Sequence, residues 1–397
     1  MPVISLGFAD DTLAIDLAEG SILTECFGPT GATGESATDL VAQTLTSPGH
    51  GPPLAAHIVP GDRVTIAIAA DIPQPAAVHR AVAACLQQAG VAADGITVLC
   101  ADPIGGSAAG LAAEISGSCF DSSVESAMAY LAADAEARPL YLARALVDAD
   151  VVVSVGGFGW DAALVGRSLA GEIWPAFGRR ENRESLMRDL LRQGRKALVD
   201  WRSELHDITW QLGLIASLRL VPGRAGSLHA ACFGLPEEAA RHARDRADSW
   251  RPQVAEPADV AVATLAAARP SFHAVVRGVA AAARVTLPDA TICLVGDLAD
   301  RPGPVISRWR QGTPLEPLLR EAAASGDPVL IADALDAKLL ERSLGERRLV
   351  LLSKLEEEEV EDLGFGHAAD AAVIERLANR GESVVILHEA DLMLPRI

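Results

Sequence analysis

Aromatic side chains are scarce in this chain: 4% of its 397 residues, although half are hydrophobic. A core built under that limit must come from Ala, Val, Leu and Ile, which suits helices packed closely on a sheet. Lysine is scarcer still. Of 34 basic residues only Lys196, Lys338 and Lys354 are lysines, so chemistry that needs an amine in the first half of the chain has one candidate, Lys196. Positive charge is in deficit overall. The net charge of −19 sets the chain against a nucleic-acid backbone or an anionic membrane surface, although local groups can still hold a small anion. The six cysteines (26, 85, 100, 119, 232 and 293) form no C-x-x-C pair and no zinc-like spacing, and Cys85 and Cys100 sit in apolar runs as small core residues. Long apolar runs are absent. No segment approaches the roughly 20 residues needed to span a bilayer. The start, MPVISLGFADD, has neither a basic region nor a long apolar stretch. No signal peptide is expected, and the expected location is the reduced cytoplasm.

What is present is an alternation of apolar runs with amphipathic stretches. Val64–Ala70 is a continuous apolar run, as in a parallel strand buried on both faces. Ala77, Val78, Ala81, Val82, Cys85, Leu86 and Ala89 recur at helical spacing, and Gly90 supplies a stop. Strands are expected at Ile96–Ala101, Asp150–Val155 and Leu214–Val221, with helices at Glu184–Gln193, Val199–Gln211, Ser227–Phe233 and Pro236–Ser249. The polar, proline-bearing RPQVAEP near Trp250–Pro257 reads as a linker. Beyond it strands are expected at Val260–Leu265, Thr291–Gly296, Val329–Ala332, Leu349–Ser353 and Val384–His388. The helices between them are Phe272–Arg284, Leu315–Ser325, Asp333–Leu344 and Ala368–Arg380. This pattern predicts two α/β domains with mainly parallel sheets, over 1–252 and 258–397. EEEEVED at Glu356–Asp362 reads as a solvated helix start, where acidic side chains suit the dipole.

In open α/β sheets ligands bind beyond the carboxyl ends of strands. That rule selects Asp71, Asp102, the Gly156–Asp161 loop and Asp297. Asp71 opens DIPQP, where it either caps the turn or orients a ligand, and the helix start behind it offers free N–H groups to an anion. SVGGFGWD can be read as G-x-G-x-x-A from Gly157, a weak dinucleotide signal, because the helix that should follow is interrupted by Gly166, Arg167 and Gly171. The other reading is a loop whose backbone at Gly156 and Gly157 must approach a ligand or the second domain. Of nine histidines none forms an H-x-x-x-H pair, and no G-x-S-x-G elbow exists for a serine triad. His79 and His273 lie on helices that follow strands, so each is either within reach of the cleft or a helix-face or core histidine.

The stretch Pro52–Pro103, with its order PPL, PGD, apolar strand, D-x-x-x-P, helix, AGV and strand, resembles the N-terminal domain of the nickel-pincer lactate racemase family. Ala149–Gly178 and Pro257–Gly303 carry further likeness. The resemblance implies two α/β domains with a cleft between them, and a nickel ion held by a sulfur-bearing pyridinium nucleotide joined to a lysine. It also implies racemisation of a 2-hydroxy acid by hydride transfer, with histidines exchanging the hydroxyl proton. The family's S-D-x-T-R-P loop falls on Ala70 to Pro75, which keeps Asp71 but has Gln74 for the arginine. Its T-G-T-H-R turn falls on Asp102 to Gly106, with Gly105 for the histidine. Asp161 stands for a second histidine, and Gly171 for the cofactor-bearing lysine. Asn182-Arg183 lacks the metal-binding histidine of the family's N-H pair. Y-Q-x-x-K falls on His273 to Arg277, where only the cationic character survives.

The resemblance with these replacements implies a family scaffold without the family's cofactor. The chain is expected to hold a small anionic metabolite through Gln74, Asp102, Gly156, Gly157, Arg167, Arg277 and Asp297, since arginine suits bidentate carboxylate binding. Asp71, Asp161 and His273 are the candidates for proton chemistry. Three alternatives stay open: an active racemase or epimerase with a rearranged site, its cofactor on Lys196; a different enzyme on the same scaffold, with Asp71 or Asp161 as base; and an interaction protein with an empty cleft. Assembly into a homo-oligomer is also open.

Overall fold

The computed structural model describes residues 2–8, 11–69, 72–101, 109–133, 139–168, 171–266 and 270–397. Two of the expected site residues, Asp71 and Asp102, lie outside these. The chain forms two compact units that do not follow chain order. A central unit comprises Thr30–Gly159 and Leu169–Ala247, and a terminal unit comprises Met1–Pro29, Trp160–Ser168 and Asp248–Ile397.

The central unit is built on a six-stranded sheet. Its order is Leu228–Gly234, Ala216–Pro222, Val151–Gly157, Val64–Ala69, Ile96–Ala101 and Ser118–Cys119. All neighbours are parallel except the first pair. The apolar run at Val64 is a middle strand, so each face needs cover. Val64, Ile66 and Ile68 pack with Val41 and Leu45 of helix Gly34–Thr46 and with Val78, Val82 and Leu86 of helix Pro75–Gln88. Ala67 faces the other way, among Leu99, Phe120, Met128, Leu146, Val152 and Phe177. Each such buried Val or Leu contributes about 1.5–3 kcal/mol.

The terminal unit carries a second six-stranded sheet, all parallel: Gly366–His367, Arg348–Leu352, Thr286–Val295, Ala258–Thr264, Val384–Leu387 and Ile22–Cys26. Its edge strand comes from the start of the chain. The antiparallel hairpin Val3–Phe8/Asp11–Asp16 brings Ile4, Leu6, Ile15 and Leu17 onto one face, beside Ile374 and Ala378 of helix Ala371–Ala378. The opposite face is covered by helix Phe272–Ala283, with Val275, Val276 and Val279 buried.

Two elements differ from the sequence expectation. Ser227–Phe233, expected as a helix, is the strand Leu228–Gly234. A short apolar run reads either way; here a turn with Ala225 at φ 54° and Gly226 at φ 67° folds it back on Ala216–Pro222, which decides the matter. Val329–Ala332, expected as a strand, is the first turn of one helix, Pro328–Leu344. Asp327 accepts the Val329 N–H at 2.9 Å and Pro328 opens the helix, a paired start signal that overrides the β-branched run. The acidic run begins the helix Glu357–Asp362 as expected, with Glu359 accepting the Glu356 N–H. No helix among the described residues is long and apolar enough to cross a membrane.

Candidate active site

Each sheet has a point where the chain changes direction of growth. In the terminal unit the chain runs outward from Ala258–Thr264 through Thr286–Val295, Arg348–Leu352 and Gly366–His367. It then returns to the other side at Val384–Leu387. The loops after Ala258–Thr264 and Val384–Leu387 meet at this switch point, where Asp391 accepts the Ala266 N–H, and the crevice at such a point is where α/β sheets bind ligands. Around it the structure places His273, Arg277, Asp336, Asp391 and Asp161.

Helix Phe272–Ala283 starts on this side, with Ser271 as its N-cap, and presents His273 and Arg277 one turn apart on the same face. His273 Nδ1 lies 2.6 Å from Asp336 Oδ1, supplied by helix Pro328–Leu344. Asp336 thereby fixes the tautomer and leaves Nε2 as the ring's free functional atom. The imidazole keeps 45% of its surface open. Desolvation by the surrounding protein pulls its pKa down, but the charge and hydrogen bond of Asp336, aided by Asp161 and opposed by Arg277, outweigh that and leave it raised.

Arg277 meets Asp391, the pair spanning 3.4 Å, while its Nε is buried without a hydrogen-bond partner. Asp391 is itself buried and accepts the Ala266 N–H at 2.8 Å. Burial raises its pKa, with Arg277 and the Ala266 N–H working against that. The Thr264 hydroxyl accepts the Glu389 N–H at 2.9 Å, holding together the ends of the two strands that flank the crevice.

Asp161 sits in the small hairpin Trp160–Asp161/Gly166–Arg167, where it is buried and accepts the Leu164 N–H at 2.9 Å. It is near enough to His273 to act on its charge. Arg167 is a half-buried backbone partner of Trp160 in the same hairpin. Asp297 follows strand Thr286–Val295 as expected, but its carboxylate is engaged by Lys354 Nζ at 2.6 Å. Behind this cluster Asp333, one turn before Asp336, accepts the Val305 N–H at 2.6 Å, and burial pushes its pKa up to about 6.

The remaining expected site residues belong to the central unit, where they serve the backbone. Gln74, at φ 53°, accepts the Gly34 N–H at 3.0 Å and donates to the Gly226 carbonyl at 2.9 Å, so both ends of its amide hold loops. Gly156 and Gly157 end the strand Val151–Gly157, and what approaches them is Gly171. A Cβ on Gly156 would stand 1.9 Å from the Gly171 carbonyl oxygen, and one on Gly171 would stand 2.3 Å from that of Gly157. Gly171 also has φ 87°. Over this contact lies Arg219, the register partner of Gly156 and 2% exposed. It donates to the Gly171 carbonyl and pairs with buried Glu172, and burial lowers its pKa to about 10.

Asp336 and Asp391 escaped the sequence reading. They lie 63 and 114 positions from the side chains they touch, inside an ordinary amphipathic helix and a short terminal turn. The only available signal was the strand-end rule applied to Val384–His388, which points at the loop containing Asp391. In the central unit an open cavity of about 760 Å³ is lined by Glu125, Met128, Tyr130, Tyr141 and Arg144 among others. None of the residues above lines it, and the Arg144 guanidinium is spent on the Ser126 and Met128 carbonyls.

Among solved structures, the lactate racemase apoprotein from Thermoanaerobacterium thermosaccharolyticum superposes with a TM-score of 0.79 at 16% identity, covering 100% of both chains. A protein from Thermotoga maritima superposes with a TM-score of 0.59 at 12% identity, over 91% of this chain and 97% of that one. The mixed α/β fold is thus that of the lactate racemase apoprotein, and at these identities the likeness is one of fold. No protein-family model and no curated protein matches the sequence.

Proposed function

We propose that this chain, on a lactate racemase-like fold, binds a small carboxylate-bearing metabolite at the crevice of the terminal unit and works without a nickel-pincer nucleotide. The arrangement that carries the reading is His273 held by Asp336 at 2.6 Å, with Arg277 one helical turn away. Arg277 is the carboxylate anchor, since its planar fork matches a carboxylate and its Nε is not otherwise used. His273 Nε2 is the group left for a hydroxyl or keto oxygen on the neighbouring carbon.

The nickel-pincer nucleotide does not fit the residues present. Its tether would fall on Gly171, where backbone packing leaves no room for even a Cβ. The buried Arg219–Glu172 pair closes the same place. Lys196, the other amine of the first half, is exposed in the first turn of helix Arg195–Gln211. Among the described residues no group of three or more His, Cys, Asp or Glu side chains could hold a metal ion.

Titration calorimetry with lactate, glycolate, their 2-oxo counterparts and phosphorylated 2-hydroxy acids tests the binding. At least one acid is expected to bind, and Arg277→Ala to weaken it by about tenfold or more, the scale of one charge-assisted contact. Absence of binding across the set, or an affinity unchanged by Arg277→Ala, overturns it. Intact mass and nickel analysis after co-expression with cofactor-synthesis enzymes tests the second half: the expected mass is that of the bare chain, and a covalent adduct overturns it.

A second reading, a proton-transfer enzyme on the same scaffold, is favoured by one observation: an imidazole oriented through Nδ1 by a carboxylate is a general base in waiting. Incorporation of solvent deuterium into a bound 2-oxo acid, lost in His273→Gln while binding persists, is its signature. Binding without exchange leaves the first reading standing alone.

A further inference from the structure

Five of the six cysteines are buried and one, Cys119, is exposed. Cys119 belongs to the two-residue strand Ser118–Cys119, the edge of the central unit's sheet, and its register partner in the parallel neighbour Ile96–Ala101 is Cys100. Register partners in a ladder project to the same face. The local packing agrees. Gly117, two residues before Cys119 and so on its face, would place a Cβ 3.4 Å from Cys100 Sγ.

Strand spacing of about 4.8 Å sets the Cα separation of such a pair, inside the range of about 4.4–6.8 Å that a disulfide spans. The Cβ atoms of a ladder pair stand about 1 Å farther apart than a relaxed disulfide prefers. An edge strand two residues long, bonded along one side, is the element of this sheet best able to give that distance. A bond closed under such strain and near solvent is easily reduced, the property of a regulatory rather than a structural disulfide.

We propose that Cys100 and Cys119 form a peroxide-oxidisable dithiol that closes into a reversible disulfide. The exposed Cys119 thiolate attacks one peroxide oxygen. The O–O bond breaks, the departing hydroxide takes up the proton that the Cys119 thiol had released and leaves as water, and Cys119 becomes a sulfenic acid. Cys100 Sγ then attacks the Cys119 sulfur, an S–S bond forms, and the hydroxyl departs with the Cys100 proton as a second water. Two thiols lose two electrons and one peroxide gains them. Burial, followed by the nearby Cys119, holds the Cys100 thiol up to about 11, which keeps it protonated and makes it the resolving partner instead of the one that meets peroxide.

The full chain treated with hydrogen peroxide, alkylated after denaturation and digested, reports the outcome. Two of the six thiols are expected to resist alkylation, in a Cys100–Cys119 linked peptide lighter by two hydrogens, and a dithiol reductant is expected to restore them. Cys100→Ser is expected to stop at a sulfenic acid on Cys119 that dimedone traps, Cys119→Ser to abolish the reaction, and Cys26→Ser to leave it unchanged. Wild-type Cys119 passing directly to sulfinic acid overturns the proposal, as do intermolecular Cys119 dimers as the sole disulfide or equal reaction in Cys119→Ser. Native circular dichroism of each variant separates lost chemistry from lost fold.

Discussion

Single residues divide the two units by kind of chemistry. In the central unit the decisive one is Gly171, because a side chain there must displace the backbone of Gly156 and Gly157 and adopt a left-handed φ of 87°. Gly171→Ala is expected to lower stability by roughly 2–6 kcal/mol, from backbone strain and overpacking together, measured by urea unfolding. A neutral effect would mean that the place is open after all. In the terminal unit the decisive residue is Asp336, whose carboxylate raises the His273 pKa. An imidazolium favours an anion, so carboxylate affinity is expected to fall as pH rises through a midpoint above the ordinary histidine value of about 6.5. Asp336→Asn removes the principal raising partner and leaves desolvation and Arg277 opposed only by the smaller effect of Asp161, so that midpoint should drop below the ordinary value. Dissociation constants between about pH 5 and 9, with a histidine NMR titration, decide it. A pH-independent affinity in the wild type would take His273 out of the site.

At the scale of elements, local pattern carried most of the information. Val64–Ala69, Ile96–Ala101 and Leu315–Ser325 were legible because a doubly buried strand and an amphipathic helix have unlike periods. What stayed hidden was pairing over long range. Nothing in Ile22–Cys26 tells that it joins Val384–Leu387, more than 350 residues away. The same distance hid the cover that Leu6 and Ile15 give to the second sheet, and a division into 1–252 and 258–397 passes over both. This placement makes a sharp prediction. Leu6 is fully buried among Val262, Val295 and Ile386. Leu6→Ala should cost about 2–5 kcal/mol, and amide exchange should quicken in Ala258–Thr264 and Val384–Leu387 but not in Val64–Ala69. Faster exchange in the central sheet instead would contradict the assignment of the N-terminal hairpin.

For the molecule as a whole, the candidate site was half legible for a physical reason. The resemblance pointed at His273, Arg277 and Asp161, and the strand-end rule selected only Asp161 among them. Asp336 and Asp391 complete the site from segments whose own pattern says only helix and turn. The global property that was fully legible is charge, and it bears on that site. A net charge of −19 surrounds the arginine proposed to collect an anion. The far field therefore opposes binding while the near field of Arg277 favours it, and salt separates the two. Screening shortens from about 30 Å at 0.01 M to about 8 Å at 0.15 M ionic strength, which removes the distant repulsion and leaves a contact within 4 Å largely intact. The association rate of a carboxylate ligand is thus expected to rise, by roughly two- to tenfold, over that span in stopped flow. A cationic binding face, as for nucleic acid, would show the opposite slope. A rate that falls with salt would place the ligand on a positive surface and away from the crevice around Arg277.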